Sequence, residues 1–147
     1  MRELPRQLSA DELAELFEGR TTLVEQLAAI EDPLGHARAI AGRLSPAEQK
    51  EVLDAHPQIG AKTGLSKRSA AEQGTDDDPD VLRELAELNR TYEERFGFRF
   101  VVFVNRRPRR EILPILRERL ERTREQELAT GVDELVQIAI DRWQRTS

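Results

Sequence analysis

The chain has 147 residues, no cysteine, two histidines and a formal net charge of -5, with 35% of its residues charged. That length suffices for one domain with its own core, while the missing thiols exclude a disulfide framework, thiolate chemistry and a cysteine-held metal, and His36 and His56 lie too far apart to suggest a structural zinc. The 28 acidic and 23 basic residues are intermixed and leave no footprint for nucleic acid, no apolar run approaches the roughly 18 residues of a membrane span, and Met1-Arg2-Glu3-Leu4-Pro5 has no apolar signal region, so a soluble cytoplasmic protein is expected.

Helical signals begin at Ser9-Ala10-Asp11-Glu12, a capping box in which a serine N-cap is followed at the third position by glutamate. Leu13, Leu16 and Phe17 then repeat at helical spacing, and Gly19 is expected to end the element. A second helix is predicted from about Thr22, with Leu23, Val24, Leu27 and Ile30 on one face. Asp32-Pro33 opens a third, carrying Leu34, Ala37, Ile40, Ala41 and Leu44, with His36 off that stripe and read as a surface or flank histidine. Ser45-Pro46-Ala47-Glu48 combines a capping box with proline at the first helical position and starts a fourth.

This fourth helix runs into Ala55-His56-Pro57-Gln58-Ile59-Gly60. Proline pushes the residue before it out of the α region, so the helix should end at or just before His56. The last carbonyls of a helix favour an imidazolium, which predicts a pKa raised above the ordinary value of about 6.5 and a residue able to trade protons near neutral pH. Ser69-Ala70-Ala71-Glu72-Gln73 follows after a short loop. Ser69 and Glu72 repeat the capping-box pattern, but no apolar run follows them. Glu72 therefore reads either as a cap or as a second titratable group facing His56.

Asp78-Pro79 starts a long helix with Val81, Leu82, Leu85, Leu88, Tyr92 and Phe96 near one face and Gly97 as its stop. Phe98-Arg99-Phe100-Val101-Val102-Phe103-Val104 has strand propensity but no second strand to pair with. It is either a helix imposed by tertiary context or an extended buried segment whose backbone groups meet something else, such as a ligand. The basic run Arg106-Arg107-Pro108-Arg109-Arg110 reads as a solvated helix start, since Glu111, Glu118 and Glu121 neutralise it. Ile112, Ile115, Leu116 and Leu120 mark the next helix, in which Pro114 predicts a kink or a late start. The last helix carries Val132, Leu135, Val136, Ala139, Ile140 and Trp143, with Arg142 at the edge of that stripe. With five Phe, one Tyr and one Trp in the chain, each aromatic is expected to matter to the core.

The order His56-Pro57-x-Ile59-Gly60, Ser69-x-x-Glu72-Gln73, Leu88-Asn89-x-x-Tyr92-x-x-Arg95-Phe96-Gly97-Phe98-x-Phe100-Val101, Ile112-Leu113 and Ile138-x-x-x-Arg142 resembles the OHCU decarboxylases. These convert 2-oxo-4-hydroxy-4-carboxy-5-ureidoimidazoline to (S)-allantoin and carbon dioxide in urate breakdown. The resemblance spans roughly Phe17 to Trp143; the chain departs from the usual family turns at Arg20-Thr21-Thr22 and Glu31-Asp32-Pro33. It implies an all-α, single-domain bundle of about eight helices over residues 1–147, often a dimer, acting on a small ureidoimidazoline without metal or organic cofactor. It further implies that His56 and Glu72 are catalytic and that Pro57, Ser69, Gln73, Phe100, Val102, Val104 and Arg142 contact the substrate. Apart from the resemblance, the sequence also fits a small helical interaction module that uses Phe98 to Val104 as its partner-binding strip.

Overall fold

A computed structural model describes residues 3–59 and 78–145 of the chain. Among these residues it contains seven α-helices and no strand. They are α1 (Ala10–Phe17), α2 (Thr22–Ala28), α3 (Pro33–Arg43), α4 (Pro46–Asp54), α5 (Pro79–Phe96), α6 (Arg109–Leu120) and α7 (Arg124–Arg145).

The starts of these helices follow from local hydrogen bonding. Ser9 and Ser45 each accept a bond from the backbone of the third helical residue, and Glu12 and Glu48 reach back to the serine N–H, so both capping boxes close in full. Thr21 caps α2, and Asp78 caps α5 ahead of Pro79. Asp32 precedes α3 as expected, but it lies in the left-handed region at φ 50° and its side chain makes no capping bond. A further box, not foreseen, opens α7: Gln126 N–H donates to Thr123 Oγ1 at 3.1 Å, and Thr123 N–H donates to Gln126 Oε1 at 3.0 Å.

The stops are less uniform. Gly97, at φ 81°, ends α5 as predicted, its N–H bonding Glu93 O. At the end of α1 the left-handed position belongs to Glu18, at φ 66°, one residue before the expected Gly19. A side chain in that conformation costs of order 1–3 kcal/mol, so something must hold it there. Pro114 lies inside α6 without delaying the helix start at Arg109.

α7 organises the packing. It contacts α1, α3 and α4, while α2 packs on α1, α3 and α4, and α5 pairs with α6. Its buried face runs Leu128, Gly131, Val132, Leu135, Ile138, Ala139 and Arg142, the spacing of one continuous helical stripe. Gly131 gives close approach there, since a Cβ would lie 3.0 Å from Leu53 Cδ2 of α4 and the leucine tip would have to give by a few tenths of an ångström. Glycine inside a helix is unfavourable by about 1 kcal/mol relative to alanine. Its presence draws the end of α4, and the chain that follows it, against α7.

The segment after α5 is extended and buried, which settles the choice left open by its sequence. Phe98 and Phe100 are 1% and 2% exposed. Both rings pack edge-on to Tyr92, with centroids 6.0 and 5.2 Å away, and Phe96 closes the cluster at 4.6 Å from Tyr92. Since Val101, Val102 and Val104 are buried as well, this stretch offers no exposed strip for a protein partner. Among the described residues Leu4 is the only large apolar side chain that stands exposed, and no helix is long and apolar enough to cross a membrane.

Candidate active site

α4 ends at Asp54, in the place required by the proline at 57, and the His56 N–H turns back to Leu53 O at 3.2 Å. The loop that follows is fastened to α5 and to the start of the extended segment. Arg99 Nη1 donates to His56 O at 2.6 Å, and its Nε donates to Glu93 Oε1 at 3.1 Å. Glu93 also accepts from Gln58 Nε2 at 2.6 Å, and Asn89 Nδ2 donates to Ile59 O at 3.1 Å. These bonds satisfy backbone carbonyls that no helix or sheet serves, and they fix where the imidazole stands.

One cavity brings three remote stretches together: His56, Pro57 and Ile59 from the loop, residues 100–104 from the extended segment, and Ile138 and Arg142 from α7. Six of the residues singled out by sequence, His56, Pro57, Phe100, Val102, Val104 and Arg142, line it. Ser69, Glu72 and Gln73 lie outside the described residues.

The extended wall has its own supports. Arg119 Nη1 donates to Val101 O at 2.8 Å and its guanidinium lies 4.5 Å from the Phe100 ring centroid. Arg107 folds back onto Phe103 O at 2.7 Å and Val104 O at 2.9 Å, so this member of the basic run closes a turn as well as facing solvent. The Val102 N–H and C=O have no hydrogen-bond partner among the described residues. A buried amide and carbonyl beside a cavity are ready to bond a polar ring.

Burial makes His56 a different residue from the one its sequence position suggests. It is 4% exposed, and its pKa falls from 6.5 to about 4, first through desolvation of the charged form and then through the nearby Arg142 cation. Glu18 pulls the other way, and Arg99 adds a further downward push. The expected rise from the helix end is therefore overturned: the partial charge of terminal carbonyls is smaller than the cost of burying an imidazolium beside arginines. His56 is neutral at neutral pH, a proton acceptor, and its Nε2 is buried without a hydrogen-bond partner among the described residues.

Arg142 also differs from its helical-wheel placement at the stripe edge. It is 3% exposed and continues the buried stripe, whereas Trp143 is only partly buried. Its Nη1 donates to Leu16 O at 3.0 Å and its Nη2 meets Glu18 Oε1 at 2.9 Å, so both bonds come from the end of α1. This pairing ties the left-handed end of α1 to α7.

Sequence reasoning missed Glu18, the Asn89, Glu93 and Arg99 fastenings, and a buried network around Glu127. Glu127 is fully buried and accepts from Tyr92 Oη at 2.6 Å, Arg119 Nε at 2.7 Å and Arg122 Nη1 at 3.1 Å. The Tyr92 hydroxyl is pushed well above its ordinary pKa, mainly by burial and then by its bond to Glu127. A usable signal existed: Asn89, Arg119 and Glu127 each occupy an apolar-stripe position of its helix, where a polar residue needs a partner.

A family model described as OHCU decarboxylase matches residues 2–144. A 2-oxo-4-hydroxy-4-carboxy-5-ureidoimidazoline decarboxylase of Haloferax volcanii is 34% identical over 96 residues, covering 63% of this chain and 57% of that protein. The uric acid degradation bifunctional protein of Bacillus subtilis is 29% identical across 95% of this chain, which corresponds to 30% of its own length. In these two relatives the matched part is thus little more than half, and less than a third, of the whole protein. A crystal structure of an OHCU decarboxylase in the presence of (S)-allantoin superposes with a TM-score of 0.74 at 26% identity, over 89% of this chain and 94% of that one.

Proposed function

Because the chain belongs to the OHCU decarboxylase family, we propose that it catalyses the cofactor-independent decarboxylation of 2-oxo-4-hydroxy-4-carboxy-5-ureidoimidazoline to (S)-allantoin and carbon dioxide. The observation that carries this reading is that His56 and Arg142 line the same cavity, with the imidazole neutral and the guanidinium charged. Breaking the bond to the carboxylate releases carbon dioxide and leaves an electron pair that must be delocalised into the ring and then protonated. A neutral imidazole takes the proton of the neighbouring hydroxyl as the bond weakens, and the substrate's own negative charge makes that imidazole more basic than it is in the empty cavity. The resulting imidazolium is positioned to return a proton to the ring carbon. Arg142 holds a carboxylate or carbonyl oxygen, and the backbone of residues 100–104 orients the ring.

In this reading Glu72 anchors the ureido group or a ring nitrogen and shares the proton traffic, Ser69 and Gln73 donate orienting hydrogen bonds, and Pro57, Phe100, Val102 and Val104 shape the walls. The chain acts as a single domain, and the cytoplasmic location expected from its composition and the homodimer implied by the resemblance belong to the same proposal. The interaction-module alternative loses its basis with the burial of residues 98, 100–102 and 104.

The test generates the unstable substrate from urate in situ and follows optical rotation. Excess (S)-allantoin formed faster than the spontaneous reaction is expected, and racemic product at the spontaneous rate would overturn the assignment. His56→Asn should lower the enzymatic rate by about 100-fold to 10,000-fold with the helical circular dichroism unchanged.

A further inference from the structure

We infer that Glu18 is the positioning residue of this site: from the left-handed end of α1 its carboxylate aims the Arg142 guanidinium at the His56 cavity and offsets its charge there. The inference rests on the reading of that cavity as the decarboxylation site.

Three observations converge on Glu18. The first is its backbone. α1 stops on a non-glycine residue at φ 66° and ψ 21°, although glycine occupies the very next position. Had the chain needed only a helix stop, glycine at 18 would serve with no strain. The second is its partner. Glu18 keeps 12% of its side-chain exposure and meets Arg142 at 2.9 Å, while Leu16 O, two residues back on the same turn, takes the other terminal nitrogen at 3.0 Å. Two acceptors on one rigid helix end define the plane of the guanidinium, as a single acceptor would not. The third is what lies beside the pair. Among the described residues the charged groups acting on His56 are Arg142, Glu18 and Arg99, and of the three only Glu18 favours the imidazolium.

These facts give Glu18 two separable effects. It fixes direction: a guanidinium free to rotate would meet the substrate in several poses, and small misplacements of a binding group are costly in rate. It also supplies compensating charge. As the base accepts a proton during turnover, a second cation forms near Arg142, and the Glu18 carboxylate lowers the repulsion between them. Glu18 does not touch the reacting atoms in this scheme; it acts through Arg142.

Two variants separate direction from charge. Glu18→Gly suits the backbone but removes both effects, whereas Glu18→Gln keeps an oxygen for Arg142 and removes only the charge. For Glu18→Gly, kcat is expected to fall about tenfold or more with KM changed much less, because substrate binding is shared by the whole cavity. Nitrogen NMR should show the terminal nitrogens of Arg142 as distinct, slowly rotating signals in the unaltered protein, merged in the glycine variant. For Glu18→Gln these signals stay distinct, kcat falls, and the acidic limb of kcat/KM moves to lower pH because His56 loses a compensating charge. Asp133→Asn, at the exposed partner of Arg38, serves as the surface-carboxylate control. If Glu18→Gly keeps kcat within about twofold, or its Arg142 signals remain distinct, the inference is wrong. Should the glycine variant not fold, the glutamine variant decides, and an unmoved acidic limb with full kcat overturns the proposal. Racemic allantoin from the unaltered protein would instead remove the decarboxylase reading, while the NMR comparison still reports whether Glu18 orients Arg142.

Discussion

α7 contributes one member to each of two buried arginine–glutamate pairs, and the pairs are built for different ends. Near its start, Glu127 is sealed from solvent and collects three donors, from Tyr92, Arg119 and Arg122. Arg119 then carries the arrangement to the extended segment through Val101 O and the Phe100 ring. Near the other end of α7, Arg142 is held by the carboxylate of Glu18 and the carbonyl of Leu16, and it lines the cavity that contains His56. The first pair turns its ionic contact inward and steadies a wall. The second keeps a cation beside a neutral base. Buried ion pairs are weak evidence of net stability, since desolvation consumes much of the attraction, so their placement says more than their number.

Removing one partner should expose this difference most strongly at the sealed pair. Glu127→Ala strands the Arg119 cation and the Tyr92 hydroxyl without their acceptor, and urea denaturation should show a loss of about 3–5 kcal/mol. Glu127→Gln, which still accepts from Tyr92, should cost clearly less. A loss near zero for the alanine variant would mean that water replaces the carboxylate and that the wall is not fastened through it.

Acid should reveal the site through His56. Its folded pKa of about 4 lies below its ordinary value of 6.5. Between those values the unfolded chain binds more protons than the folded one, so stability falls as pH drops. The contribution is fully present above about pH 6.5, declines through the window and levels off below about pH 4, amounting to roughly 3 kcal/mol. Thermal melts from pH 7 to pH 4 should show this decline in the unaltered protein, and His56→Asn should flatten that part of the profile. An identical slope in both proteins would locate the acid sensitivity in other groups.

The smallest effects come from exchanging arginine for lysine at each pair, where charge persists but the planar fork is lost. Arg142→Lys should lower kcat/KM about tenfold while costing about 1 kcal/mol of stability for the bond to Leu16. Arg119→Lys should reverse the proportions, with stability reduced by a similar or larger amount and catalysis by folded molecules closer to normal. Parallel losses of activity and stability in both variants would erase the distinction between wall and site.

Much of this arrangement was legible in the sequence. The serine boxes at Ser9 and Ser45, the Asp78-Pro79 start and the Gly97 stop of α5 are encoded within a few residues and appear as expected. Residues 98–104 were legible only in part, because strand propensity without a second strand left a helix and a buried extended segment both open, whereas the caps and stops are complete in themselves. Such features depend on bonds between near neighbours, and local composition is enough to specify them. What tertiary structure alone decided is the electrical character of the site. The end of α4 argued for a charged His56, but its burial and its nearness to Arg142 make it neutral. Glycine at 19 argued for the stop of α1, but the left-handed position falls on Glu18, whose carboxylate meets Arg142 of α7. In each case a local preference of about 1 kcal/mol was outweighed by desolvation and by charges contributed from distant parts of the chain, and those become defined only when the helices pack.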